Sequence, residues 1–369
     1  MISRLAHSTR KEAGLTLVEL LISTTISAFL IAGMLQMMAA SRISETLRDQ
    51  LALVLENGRY TMHMLTDAIR MAGYMGCQDS SEIGFTLTQQ GEQFISTGIN
   101  RLLVSPESRI TPLIFGRTSL FDVVIEGVEG NSAGNISLRN WNEQTPLLVA
   151  PVVTTNSDVL ITQHADYVGA AVTAISDGAI TTANTNIKAG ELSLVTDCLQ
   201  ADLFKVSAVE PTTLRLSPND NISTLPQNFA AKERLTSYGF RGNAFFVGYL
   251  NDDPQNTPVL YKTNLHSEAG GKEIVAEGIE NLQLQYGVLR EEGATMDYID
   301  AHQLHLESHP LVSTVTVSLL VRSLQPVRAD PVKKIHDLQG TTIETNDRYA
   351  HGVFTQTINL RNHRIIQKG

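Results

Sequence analysis

From Leu20 to Ser41 the chain runs 22 residues without a charged side chain, and Glu19 stands immediately before that run. An apolar helix of about 20 residues is what a bilayer core of about 30 Å requires. A carboxylate at the margin of hydrocarbon costs on the order of a few kcal/mol when unpaired. A chain that keeps Glu19 there is expected to give it a partner. The leader, Met1–Gly14, carries Arg4, Arg10 and Lys11 against Glu12. Positive charge ahead of an apolar run holds that end in the cytoplasm and sends the remainder across the membrane. The small residues Ala39, Ala40 and Ser41 would suit a conventional signal-cleavage site. However, the run is longer than a signal core and passes into a periodic helix without a turn signal. A plain uncleaved anchor leaves Gly14 and Glu19 unexplained.

Beyond Ser41, apolar or small residues recur at Leu47, Leu51, Val54, Gly58, Met62, Leu65, Ile69 and Ala72. Steps of three and four place them on one helical face. Glu45, Arg48, Asp49, Glu56, Arg59, Asp67 and Arg70 occupy the other faces, and Gly73 and Gly76 end the helix. A helix from Leu15 to about Ala72 would be roughly 87 Å long at 1.5 Å per residue. The stripe suits packing on a domain and suits a coiled-coil seam equally.

From Ser80 onward, short β-rich runs alternate with polar turns. The expected strands are Phe121–Glu126, Leu147–Val152, Asp158–Thr162, Leu192–Thr196, Leu203–Val209, Ala244–Leu250, Val259–Tyr261, Asn281–Leu289, Leu311–Arg322 and Val353–Leu360. The expected fold class is α+β: a long N-terminal transmembrane or spine helix packed on a mainly antiparallel, β-rich head. The expected divisions are a leader at 1–14, a membrane helix at 15–41, its amphipathic continuation at 42–76 and a globular head at 77–369.

The formal charge is −10, and removing the leader would make it −12. Such an acidic chain is ill suited to non-specific nucleic-acid binding. The cluster Arg322, Arg328, Lys333 and Lys334 is expected to be a solvated turn. Two cysteines, Cys77 and Cys198, lie 121 positions apart, so no CxxC redox or zinc spacing exists. Outside the cytoplasm a Cys77–Cys198 bridge would tie the helix end to the sheet. The chain-entropy model gives such a bridge roughly 5 kcal/mol. Two separate buried thiols are the alternative.

The motifs of common enzymes are absent: no GxSxG elbow, HExxH, Walker A loop or GxGxxG. Gly271-Lys272 has His266 and Glu273 where a phosphate loop needs glycine and a hydroxyl. His302, His305 and His309 would share a helical face as metal ligands, but Leu304, Leu306 and Pro310 interleave with them. Asn251, Asp252, Asp253 and Asn256 lack a full EF-hand pattern and fit a turn. No catalytic residue, metal or cofactor is expected.

The stretch Gly14-Leu15-Thr16-Leu17-Val18-Glu19-Leu20 resembles the class III signal of type IV pilins and type II secretion pseudopilins. It departs from that family at Leu15, where phenylalanine is usual. The resemblance implies that a prepilin peptidase cuts between Gly14 and Leu15 and methylates the new amine of Leu15. Glu19, then the fifth residue, would pair with the N-terminal cation of a neighbouring subunit, each charge lowering the other's cost. Farther on, Glu277–Val288 is similar to a segment of PilW-type minor pilins and of J-type minor pseudopilins. Thr196–Phe204, Val315–Ser323 and Val353–Asn362 continue the PilW likeness.

The resemblance thus implies a structural minor pilin of type IV pili, acting at the tip or in a priming complex and supporting motility, adhesion or DNA uptake. Its implied partners are other minor pilins, the major pilin, the prepilin peptidase, the inner-membrane assembly platform and a tip adhesin. Its implied location is the inner membrane, with the head in the periplasm, and then the pilus. A J-type pseudopilin shares the signal and helix. A membrane-anchored periplasmic enzyme would need a constellation the sequence does not display.

Overall fold

The computed structural model of the chain describes residues 16–74, 76, 87–90, 93–96, 102–104, 125–128, 157–176, 178–198, 201–216, 235–253, 255–264, 272–290, 295–300, 303 and 312–362. The chain divides into two units, Met1–Ala52 and Leu53–Gly369. One helix, α1 (Leu17–Met71), supplies the described structure of the first and opens the second. It ends where the periodicity predicts. Gly73 takes the left-handed φ of 77° that glycine tolerates best. Its N–H leaves the helix and donates to Gln163 O at 2.8 Å, and Ala165 N returns a bond to Tyr74 O at 2.6 Å.

Beyond the helix, thirteen strands form one sheet among the described residues. They are β1 (Leu87–Gln90), β2 (Gln93–Ser96), β3 (Leu102–Val104), β4 (Ile125–Val128), β5 (Val159–Ala165), β6 (Ala170–Ser176), β7 (Ala179–Thr182), β8 (Leu192–Thr196), β9 (Ala201–Glu210), β10 (Thr213–Leu216), β11 (Thr236–Tyr249), β12 (Pro258–Asn264) and β13 (Lys272–Glu277). Pairing is antiparallel except between β3 and β9. β11 organises this sheet. Its first half pairs with β8 and touches β6, its middle pairs with β5, and its second half pairs with β12. Its residues are buried almost without alternation, as expected of a strand covered on both faces.

A second sheet uses β14 (Ile279–Leu289), β15 (Met296–Ile299) and β16 (Val312–Arg322). A ribbon of β17 (Val332–Leu338) and β18 (Thr341–Asp347) follows, and β19 (His351–Asn359) completes the sheet in the order β15-β14-β16-β19. Period-2 patterning gives it two unlike faces. Leu282, Leu284, Tyr286, Val315, Val317, Leu319 and Val321 join Val54, Met62, Leu65, Ile69 and Ala72 of α1 in one core. The other face carries a hydroxyl ladder, with Ser318 on Thr355 at 2.7 Å and Thr316 on Thr357 at 2.9 Å. The ribbon's turn covers it: Gln339 Nε2 donates to Ser318 Oγ at 2.6 Å, and Gln285 Nε2 donates to Gln339 O at 3.0 Å.

The structure bears out the α+β class of helix and mainly antiparallel sheet. The helical stripe is shorter than its periodicity suggests. It is buried from Val54 onward, whereas Leu47 is half-buried and Leu51 exposed. Periodicity marks the apolar face of a helix, not how far an opposing surface extends. The expected strand Leu147–Val152 lies outside the described residues, as do the first four residues of Phe121–Glu126.

Candidate functional site

The first described residue, Thr16, caps α1. Its N–H and its hydroxyl both donate to Glu19 Oε2, at 3.1 and 3.2 Å, and Glu19 N donates back to Thr16 Oγ1 at 3.3 Å. This reciprocal capping box satisfies donors that the first helical turn otherwise leaves orphaned. The sequence signal was available in Thr16-Leu17-Val18-Glu19, a threonine followed three positions later by glutamate. It escaped the reading of Glu19 as a charge alone. Gly14 and Leu15 lie outside the described residues.

From Leu17 the helix presents large apolar side chains to its surroundings, with Leu17, Phe29 and Met37 all about three-quarters exposed (75%, 77% and 76%). It is long and apolar enough to cross a membrane. Hydroxyls within it are satisfied internally: Thr24 Oγ1 donates to Leu21 O at 3.0 Å, Thr25 Oγ1 to the same carbonyl, and Ser27 Oγ to Ser23 O at 2.7 Å. Returning these hydroxyls to the helix's own carbonyls lowers their cost in an apolar setting.

Within the second unit, the remainder of α1 is fastened by specific contacts. Asn57 Nδ2 donates to Glu277 O at 3.0 Å. Gly58 packs so closely on the ring of Phe354 that a β-carbon there would collide with it. Asn362 Nδ2 donates to Arg70 O at 2.9 Å, taking up a carbonyl of the last turn.

Cys198 follows β8 with a left-handed φ of 70°, and its N–H donates to Thr196 Oγ1 at 3.0 Å. No described cysteine is a free thiol. Cys77 lies outside the described residues, but Gly76, just before it, is buried against Tyr238. A β-carbon on Gly76 would lie 2.6 Å from Tyr238 Cε2. Tyr238 in turn pairs with Leu194 of β8.

The other residues singled out in the sequence fare differently. His302, His305 and His309 fall outside the described residues. Asn251, Asp252, Asp253 and Asn256 form a turn: Asp253 Oδ1 accepts from Gln255 N at 3.0 Å, Asn256 Nδ2 donates to Leu250 O at 3.1 Å, and Lys272 Nζ pairs with Asp252. The basic cluster is not a solvated turn. Arg322 is largely buried, with its guanidinium 4.3 Å from the centre of the Tyr349 ring and Nη1 3.5 Å from Glu280 Oε1. Arg328 Nη1 donates to Tyr349 O at 3.1 Å, and Lys333 pairs with Glu344 across the ribbon at 2.7 Å. The expectation failed because positions close in sequence were assigned to one loop, whereas the chain spreads them over β16, its exit and β17.

Two family models match the chain. The Prokaryotic N-terminal methylation motif matches residues 9–35, which include the capped helix start. Type IV Pilus-assembly protein W matches residues 247–362, from the end of β11 through β19. No curated protein and no solved structure matches. With the methylation motif over the capped, exposed start of α1 and the PilW model over the sheet on which that helix packs farther along, the two matches support a PilW-type minor pilin of type IV pili.

Proposed function

We propose that this chain is a structural subunit, not an enzyme, that helps to initiate or cap type IV pili. The observation that carries this reading is α1 itself: one unbroken helix begins on a capped Thr16–Glu19 turn, continues as an exposed apolar segment and ends as a core element of the β-rich unit. The prepilin peptidase cleaves after Gly14 and methylates the amine of Leu15. The apolar segment anchors the subunit in the inner membrane with the head in the periplasm, then leaves lipid to pack among other pilin helices. Glu19 meets the N-terminal cation of a neighbour as it docks. The bulk of the head favours a place at the tip or in a priming complex over a repeating place in the shaft. Other minor pilins, the major pilin, the assembly platform and a tip adhesin are its partners, and pilus-dependent motility, adhesion or DNA uptake follows from assembly.

A bridge between Cys77 and Cys198 would belong to the same design. What supports it is that Cys198 is not a free thiol, and that Gly76 packs on the strand beside the one leading to Cys198.

Intact-mass measurement of the mature protein tests the processing step. A chain beginning at a methylated Leu15 supports the reading; one beginning at Met1 or near Ala40 overturns it. A deletion strain that loses surface pili while still secreting exoproteins supports a role in the pilus. The reverse pattern assigns the chain to type II secretion instead.

A further inference from the structure

Glu280, Asp347 and His351 each bring one ligand atom to a common point, all within 4.8 Å of one another. Asp347 and His351 are four positions apart, and the fold brings Glu280 to them from 67 positions before Asp347. Glu280 is the extra residue of a β-bulge, since Ile279 pairs with Val321 and Asn281 with Leu320. Bulges of this kind re-aim a side chain. Asp347 closes β18 and His351 opens β19, directly across from Arg322.

Each carboxylate is held by one oxygen and presents the other. Glu280 Oε1 faces Arg322 Nη1 at 3.5 Å, which leaves Oε2 3.0 Å from His351 Nε2. Asp347 Oδ1 accepts from Tyr349 N at 2.8 Å, which leaves Oδ2 3.4 Å from the same nitrogen. The imidazole of His351 is 1% exposed, yet neither of its nitrogens makes a hydrogen bond. The two oxygens are close enough but lie off the line along which Nε2 would donate. That is the arrangement of ligands around a shared centre. At metal–ligand distances near 2.1 Å, tetrahedral ligands stand about 3.4 Å apart, with each neighbour well off the nitrogen's own axis. Ligands oriented by partners behind them are the mark of a built cation site.

We propose that Glu280, Asp347 and His351 bind a divalent cation of the zinc class, with water completing its shell, and that the ion clamps the turn between β18 and β19 onto β14. One nitrogen and two carboxylate oxygens suit a borderline cation better than calcium, whose ligands are oxygens. Arg322 beside Glu280 leaves the three ligands and the arginine with a formal charge of −1 when His351 is neutral, which a dication can offset. The ion is structural and independent of processing at Gly14.

The test uses the full-length protein in detergent, stripped with chelator and titrated with Zn²⁺ alone. The expected result is one tightly bound equivalent and a rise of the thermal midpoint. Asp347→Asn keeps an acceptor for Tyr349 N while removing the anionic ligand, and it should weaken binding at least tenfold. His351→Gln should weaken it further. Replacing His302, His305 and His309 together by glutamine should leave binding unchanged. Absence of a bound equivalent in the parent protein, retention of affinity in Asp347→Asn, or loss of binding in the triple variant would each overturn the proposal.

Discussion

Asp158 joins the two sheets by gripping β14 at Leu284: its Oδ2 accepts from Leu284 N at 2.8 Å, while its own N–H donates to Leu282 O at 2.8 Å. Ser157 adds a bond, with Leu282 N donating to its Oγ at 3.0 Å. The two residues leading into β5 thus act as a short extra strand along β14. Asp158 is only 3% exposed, so its loss leaves a buried N–H without an acceptor. Asp158→Ala should reduce stability by about 1–3 kcal/mol. Asp158→Asn, which keeps an acceptor oxygen, should recover part of that in denaturant unfolding. Equal losses in the two variants would assign the effect to charge rather than to the bond.

Gly58 faces β19, with the Phe354 ring filling the space a side chain would need. Gly58→Leu should therefore destabilise the protein by about 1–3 kcal/mol through overpacking, against a helix-propensity gain of under about 1 kcal/mol. Pairing it with Phe354→Ala should restore much of the loss in a double-mutant cycle.

The end of the same helix rests on a side chain 292 residues away in sequence. Asn362→Ala frees the carbonyl of Arg70 and should lower stability by about 1 kcal/mol. Hydrogen exchange would show the change first in the last turn of α1.

His164 makes stability depend on acid. Burial holds its imidazole below the usual range, and Lys262 and Arg241 act in the same direction against the opposing Ala165 carbonyl and Asp166. As the neutral tautomer, Nδ1 donates to Ala165 O at 2.9 Å and Nε2 accepts from Asn243 Nδ2 at 3.1 Å. The folded pKa is depressed, so the unfolded chain binds the proton first. Stability from this group is whole above about pH 6.5, falls as the pH drops below it, and levels off beneath the folded pKa. His164→Gln should flatten the decline of the urea midpoint between about pH 6.5 and 5. An unchanged slope would assign the acid sensitivity to other groups.

Glu19 caps α1, and the charge pairing proposed for docking is separable from that cap. Glu19→Gln keeps an oxygen for the capping box but removes the charge, whereas Glu19→Ala removes both. Cleavage after Gly14 should proceed in each. If charge pairing drives docking, both variants should fail to enter filaments. Normal incorporation of Glu19→Gln would mean that the helix cap, worth about 1 kcal/mol, is what assembly needs.

What the sequence disclosed followed from regular pattern. The helix, its glycine stop and the strands β8, β14 and β16 were legible because one face of each is uniformly apolar, and Leu192–Thr196 is the expected span of β8 without adjustment. β11 was recognised only from Ala244 because its first half, Thr236–Asn243, mixes glycine and polar residues and shows no apolar run. β17 and β18 escaped notice because their ribbon is largely exposed and lacks an apolar face. The grouping of Glu280, Asp347 and His351 was illegible for another reason: Asp347 and His351 lie four positions apart, but a bulge and strand pairing bring Glu280 to them, and these leave no spacing in the chain.

The exit of α1 has a mechanical meaning. The bonds Gly73 N to Gln163 O and Ala165 N to Tyr74 O fuse the helix end to β5, and β5 lies along the middle of β11. A pull on the helix therefore enters the head through main-chain bonds at its most connected strand. Drawing β5 away would require its register with β11, from Leu160 to Ala165, to slide as a block. Tension on such a subunit is borne by the centre of the sheet, not peeled from its edge.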